Sequence, residues 1–180
     1  MAEDATPEPG VRQPGIAHPA IRAAGQGDAM ALFRLLLAMH EENGQASLSH
    51  AKVAQQIQQC VSDPGCMVLV AESEPGRLVG SACIEAQAWW YSDEEALFDR
   101  WIYVAPEARR SAARIAYGLL NVLKRVSDSN AMPLVLGIAS GRDAARKSIF
   151  YQRHGFEAVG SFFIYRPAAA IPVAAQARGG

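Results

Sequence analysis

Two segments of the chain hold residue types whose spacing could do chemistry. The first is Arg109-Arg110-Ser111-Ala112-Ala113-Arg114, lying between a strand that ends at Val104-Ala105-Pro106 and a helical stripe that begins at Ile115. A helix start exposes unpaired backbone N–H groups at the positive end of the helix dipole, an arrangement that attracts phosphate oxygens. The small side chains of Ser111, Ala112 and Ala113 let a ligand approach that backbone, and Arg109 and Arg110 can pair with phosphate. The plainer alternative is a surface loop whose two arginines are solvated. The second segment is Tyr151-Gln152-Arg153-His154-Gly155-Phe156. Gly155 reads as a left-handed helix stop with Phe156 as the hydrophobic contact after it. Tyr151 lies one turn earlier and, taken alone, is a half-buried aromatic whose hydroxyl finds a backbone partner.

These segments must be positioned by an alternation of elements. Ile21 to Ala24 predicts a short strand, and Asp28 is placed to cap a helix that continues to Glu42 and stops at Asn43-Gly44. Ser49 predicts the cap of a second helix, with Val53, Ile57, Cys60 and Val61 at steps of three and four before Asp63-Pro64-Gly65 ends it. Met67 to Ala71 and Leu78 to Trp90 read as a hairpin about the turn Glu74-Pro75-Gly76-Arg77, and Leu97 to Val104 as the next strand. Ile115, Leu119, Leu120, Leu123 and Val126 make a helical stripe. Pro133 to Ile138 predicts a buried strand, about Asp143 to His154 a helix, and Ala158 to Tyr165 the last strand. The order β-α-α-β-β-β-α-β-α-β is that of an α/β or α+β domain with an antiparallel start. Residues 1–18, with four prolines counting Pro19 beside them, read as a flexible arm; 19–167 form the domain, and the Ala/Pro/Gly stretch 168–180 a tail.

Composition bounds the reading without supplying chemistry. In 180 residues, 17 Lys and Arg stand against 18 Asp and Glu, so the net charge is −1, which argues against a nucleic-acid partner. No apolar run approaches membrane length, so no membrane partner is expected. Cys60, Cys66 and Cys83 are odd in number and lack any C-x-x-C spacing, which points to reduced thiols in a cytoplasmic protein and away from a metal site.

Taken together, the two segments resemble the GNAT superfamily of N-acetyltransferases. Its pattern is a strand ending V-x-P, then R-x-x-G-x-G/A opening a helix that holds the pyrophosphate of coenzyme A, then Y-x-x-x-G-F. Val104-Ala105-Pro106, Arg109, and Tyr151 with Gly155-Phe156 stand at matching places, and the element order agrees from Ile21 to Tyr165. Trp90-Tyr91-Ser92-Asp93 and Arg109-Arg110-Ser111 echo a bacterial and phage-type subgroup. The phosphate loop departs from the pattern in having no glycine, with Ala at 112 and Arg at 114. The resemblance implies a GNAT-like, mixed and mostly antiparallel central sheet flanked by helices. It implies acetyl-CoA as co-substrate, no metal, an amine acceptor, and by family habit a possible homodimer.

In that family the acceptor amine attacks the thioester directly. Tyr151 matches the tyrosine that protonates the leaving sulfur, and a backbone N–H near Tyr103 or Val104 would polarise the carbonyl. Asp99 lines up with a carboxylate that takes the proton of the amine, although simple strand alternation puts it on the face opposite Ile102 and Val104 unless a bulge intervenes. The implied catalytic residues are therefore Tyr151 and Asp99. Those implied to hold coenzyme A are Tyr103, Val104, Arg109, Arg110, Ser111, Ala112, Ala113 and Arg114. Glu41, Glu42, Glu85 and Asp93-Glu94-Glu95 are competing carboxylates whose simpler fate is a solvated rim. Trp89, Trp90, Tyr91 and Trp101 form a concentrated aromatic set near them, and His40 and His154 offer no triad. A non-catalytic acyl-CoA-binding or protein-interaction module on the same fold is the alternative.

Overall fold

The computed structural model describes residues 19–139, 143–161 and 163. The elements are β1 (Ala20–Ala23), a 3-10 turn (Gln26–Asp28), α1 (Ala29–Asn43), α2 (His50–Ser62), β2 (Cys66–Glu74), β3 (Arg77–Ala88), β4 (Glu95–Val104), a second 3-10 turn (Pro106–Ser111), α3 (Ala112–Asn130), β5 (Leu134–Val135) and α4 (Ala144–Arg153). They form one sheet in the order β1-β2-β3-β4-β5, antiparallel from β1 to β4 and parallel between β4 and β5. The mixed, mostly antiparallel sheet flanked by helices is thus as the sequence implies.

Each face of the sheet carries its own core, because residues along a strand alternate between faces. On one face α1 and α2 bring Leu32, Leu36 and Ile57 against Val70, Cys83, Trp101 and Tyr103. On the other, Ile115, Leu119 and Leu123 of α3 cover Leu69, Ala71, Ile84 and Leu97. The thiols belong to the first core: Cys60 and Cys83 are buried, Cys66 half-buried, and none is bonded to another. Burial pushes Cys66 up to about 12 and Cys83 higher, which keeps both protonated.

Local chemistry explains several boundaries. Ser49 caps α2, its Oγ accepting the Lys52 N–H at 3.3 Å. The β2–β3 turn places Gly76 at φ +78°, a left-handed position that favours glycine. Asp28 does not cap α1 through its side chain. Its carboxylate instead accepts the Gly25 N–H at 2.8 Å and both terminal nitrogens of Arg22, at 2.8 and 2.9 Å. Arg22 also bonds Glu72 at 2.9 Å and holds both carboxyls below their usual range, so β1 is stapled to β2 and to the turn that starts α1.

Two strand expectations shorten. Of Pro133 to Ile138, only Leu134–Val135 pairs with β4. Residues 158–161 carry no strand, and positions 162, 164 and 165 of the expected last strand lie outside the described residues, as do the arm 1–18 and the tail 168–180. Among the described residues no helix is long and apolar enough to cross a membrane.

Ser81 ties β3 to both of its neighbouring strands, β2 and β4. Fully buried, it donates to the Leu69 carbonyl at 2.8 Å and accepts the indole N–H of Trp101 at 3.1 Å. Ser81→Ala leaves a buried indole donor without a partner, and its unfolding free energy in urea should fall by about 1–3 kcal/mol. An unchanged midpoint would show that the serine is dispensable to the fold.

Candidate functional site

The site begins with a conflict inside β4. Leu97 must pack under α3 and Trp101 against α1 and α2, yet residues four apart on a regular strand share a face. The register resolves it: Ile84 opposes Asp99 and Cys83 opposes Trp101, so Arg100 is an extra residue, a β-bulge. Its guanidinium is tied on the α2 side, to the Glu85 carboxylate and to Gln56 Oε1 at 3.2 Å. The bulge reverses the parity of everything before it. Asp99 therefore shares the α3 face with Ile102 and Val104, contrary to the simple alternation expected from the sequence.

Asp99 also marks the point where the sheet opens. Leu97 donates to the Pro133 carbonyl at 2.8 Å, and β5 pairs with Leu97 and Phe98 only. Just beyond, the Gly137 N–H is bound by Asp99 Oδ1 at 2.7 Å, so a carboxylate takes a donor that a continued strand would have spent on the ladder. From Asp99 to Val104 the outer edge of β4 has no ladder partner among the described residues. Ala105 donates to Val79 on β3 at 2.9 Å. Counting back by twos, the Tyr103 N–H also faces β3, whereas those of Val104 and Ile102 face the open edge. The Tyr103 side chain turns to the other core, where its phenol donates to Glu42 Oε2 at 3.1 Å.

The open edge runs straight into a helix start. The turn Pro106–Ser111 leads without a break into α3, placing Ala112, Ala113 and Arg114 in its first turn. Ala112 and Arg114 thus adopt ordinary helical backbone, which needs no glycine. The side chains of Arg109, Arg110 and Ser111 lie outside what the structure describes.

Tyr151 is delivered by α4 through a complete helix-stop motif. The Phe156 N–H bonds the Tyr151 carbonyl at 3.1 Å and the Gly155 N–H bonds that of Gln152 at 3.1 Å, with Gly155 at φ +89° and the rings of Tyr151 and Phe156 5.8 Å apart. This is a Schellman cap, and Tyr151 is its apolar anchor residue. The Y-x-x-x-G-F spacing is therefore a folding motif that locks a phenol in place. Burial first, then the charge of Asp99, pushes the Tyr151 phenol up to about 12. The charge of Asp99 is thus felt at the Tyr151 phenol, although the two residues stand 52 positions apart in the chain.

The competing carboxylates are elsewhere. Glu85 is held by Arg100 and Gln87, and Glu42 by Tyr103. Asp93, Glu94 and Glu95 lie exposed at the β3–β4 turn beside Trp90, which is 92% exposed, around an open cavity of about 500 Å³. Trp89 packs edge-on to Phe98 with centroids 5.1 Å apart, while Trp101 is core, so the aromatic set is divided between a turn and the interior. Gly137, the partner of Asp99, was not identified from the sequence; its signal is a lone glycine in the apolar run Pro133 to Ile138.

Burial raises the pKa of Asp99, and its bond to Gly137 opposes that rise without cancelling it. The folded chain therefore holds this proton more tightly than the unfolded chain, and the Asp99 contribution to stability falls as pH rises from the ordinary carboxylate range through the raised value. Asp99→Asn keeps an acceptor for Gly137 without the charge. Urea titrations of both proteins between about pH 4 and 8 should show the variant gaining on the wild type as pH rises, by about 1.4 kcal/mol for each tenfold tightening of the Asp99 proton on folding; a pH-independent gap would contradict the buried charge.

Comparison with known proteins agrees with this geometry. The family model described as the acetyltransferase (GNAT) domain matches residues 64–158, just over half the chain and the whole of β2 through α4. A sequence search of curated proteins finds no match. Among solved structures the chain is similar to an acetyltransferase of Trypanosoma brucei, at 20% identity, covering 82% of this chain and 99% of that one with a TM-score of 0.60. It is also similar to a predicted acetyltransferase from Clostridium acetobutylicum, solved with acetyl-CoA, at 16% identity, 82% and 95% coverage and a TM-score of 0.65. A ribosomal-protein-alanine N-acetyltransferase from Brucella melitensis biovar Abortus 2308 follows at 21% identity, 82% and 99% coverage and a TM-score of 0.59. At such identities the likeness is one of fold, and it is the family match, over the residues that build the bulge, the helix start and the capped tyrosine, that shows the chain to belong to the GNAT superfamily of N-acetyltransferases.

Proposed function

We propose that the protein moves an acetyl group from acetyl-CoA to a primary amine, by direct attack of the amine on the thioester. The observation that carries this reading is the open edge of β4 from Asp99 to Val104, which has no ladder partner among the described residues and runs into the start of α3. Acetyl-CoA supplies the acetyl group already activated as a thioester. The residues present suit it: the N–H groups of Ile102 and Val104, without a ladder partner among the described residues, can donate to a carbonyl oxygen, and the start of α3 suits phosphate. Arg109, Arg110, Ser111, Ala112, Ala113 and Arg114 are the residues assigned to that phosphate end.

Each residue then has one task. The Val104 N–H polarises the carbonyl, offering a donor where negative charge grows. Asp99 takes the proton that the amine must lose, directly or through water, and its raised pKa makes it a better base than an exposed aspartate. As the carbon–sulfur bond breaks, Tyr151 gives its proton to the departing sulfur. A phenol held near 12 is fully protonated at neutral pH, the form that an acid requires. The proton on Asp99 balances the one lost from Tyr151, and both groups reset through water.

Turnover can be followed as free thiol released from acetyl-CoA with a panel of primary amines. Tyr151→Phe should lower kcat by about 10²-fold or more while leaving the thermal stabilisation by coenzyme A intact. Stabilisation by coenzyme A with no turnover on any amine would instead favour an acyl-CoA-binding module.

A further inference from the structure

The proposed acid sits on a helix with little to hold it. No residue of α4 is fully buried, so its position depends on a few directed contacts with the rest of the described structure. Within its own last turn, the carbonyl of Phe150 accepts from the His154 ring at 2.6 Å, that of Tyr151 from the amides of His154 and Phe156, and that of Gln152 from Gly155. The His154 carbonyl, at the cap itself, is taken by another helix: Lys124 Nζ of α3 donates to it at 3.0 Å. The same junction is closed by the His154 ring, which lies 5.0 Å from Tyr117 of α3 and 4.3 Å from Phe150. Gly155 lies so close that a Cβ there would be 3.8 Å from the ammonium.

We propose that Lys124 is a positioning residue for the acetyl transfer, fixing the height of Tyr151 by clasping the capped end of α4 to α3. The chemistry suits the place. A cation is favoured at the negative end of a helix dipole, and a half-buried ammonium with three donors needs acceptors of this kind. The contact falls three residues from Tyr151, on the rigid side of the Schellman cap, so a displacement at His154 is passed to the phenol. Lys124 also lies on the helix whose start is assigned to phosphate, 12 residues or about 18 Å along its axis from Ala112. One rigid element thereby sets the distance between the co-substrate's anionic end and the acid that must reach its sulfur. This inference rests on the role proposed for Tyr151.

The test compares Lys124→Met, Lys124→Arg, Tyr151→Phe and the double variant K124M/Y151F, by steady-state kinetics and by ultraviolet titration of the phenols. Lys124→Met should lower kcat about tenfold, with KM for acetyl-CoA within about twofold. Lys124→Arg should recover most of that loss, and in the Tyr151→Phe background the methionine should cost nothing further. The Tyr151 titration, raised to about 12 in the wild type, should move toward the ordinary value of about 10 in Lys124→Met. A wild-type kcat in Lys124→Met, an unmoved phenol titration, or an equal loss in the presence and absence of Tyr151 overturns the proposal. If Tyr151→Phe itself turns over normally, the acid role falls and the positioning role with it; if Tyr151→Phe is impaired and Lys124→Met is not, only the latter falls. Should Lys124→Met fold poorly, Lys124→Leu, which also lacks an N–H donor, carries the same comparison.

Discussion

The structure turns on one geometrical constraint in β4: Leu97 and Trp101 must enter opposite cores although a regular strand would place them on the same face. Both are buried, and exposing either would forfeit roughly 1.5–3 kcal/mol of apolar burial, more than a local disruption of the ladder costs. The strand therefore accommodates an extra residue at Arg100. The bulge is a packing solution, and its chemical consequence is that Asp99 turns to the α3 face. A feature that stabilises the fold thus also sets the face of the candidate site's carboxylate.

A second consequence follows from the same residue. Asp99 is held among apolar neighbours where its charge is poorly solvated, and the Gly137 N–H is its compensation. That bond is made where β5 leaves β4, so the carboxylate is both a product and a marker of the opening of the sheet. The N–H groups of Ile102 and Val104 then face no neighbouring strand among the described residues. Unpaired donors on a sheet edge invite pairing with another acceptor, and here that edge continues into a helix start. The fold leaves several directed donors on one side of one strand, which is the raw material of carbonyl and phosphate recognition.

The motifs were legible because each has a local physical cause. Gly155 is needed at φ +89°, and Phe156 must contact Tyr151 across the stop, so the spacing of these three residues survives as a readable signature. The stripe from Ile115 to Leu123 and the turn at Gly76 were legible on the same grounds, as were the ends of α1 and α2. Asp28 was misread because its carboxylate had two uses within reach: capping α1, or pairing with an arginine six residues earlier. The second won because Arg22 offers two charged donors. The strand predicted over Pro133 to Ile138 was cut to two residues because an apolar run reports burial, and it does not report whether a neighbour remains in register.

By itself, the sequence determined the element order from β1 to α4, the two helix stops, the polar turn before α3 and the presence of a tyrosine and an aspartate of the right kind. These depend on contacts within a few residues, where side-chain type and backbone preference act directly. Tertiary structure alone decided which face Asp99 occupies, that Gly137 satisfies it, that Val104 and not Tyr103 offers its N–H to the open edge, and that Lys124 reaches the end of α4. Each of these is a choice between two faces or two partners that are locally equivalent. Only the competition of two separate cores for the same strand, and of two helices for the same junction, distinguishes them.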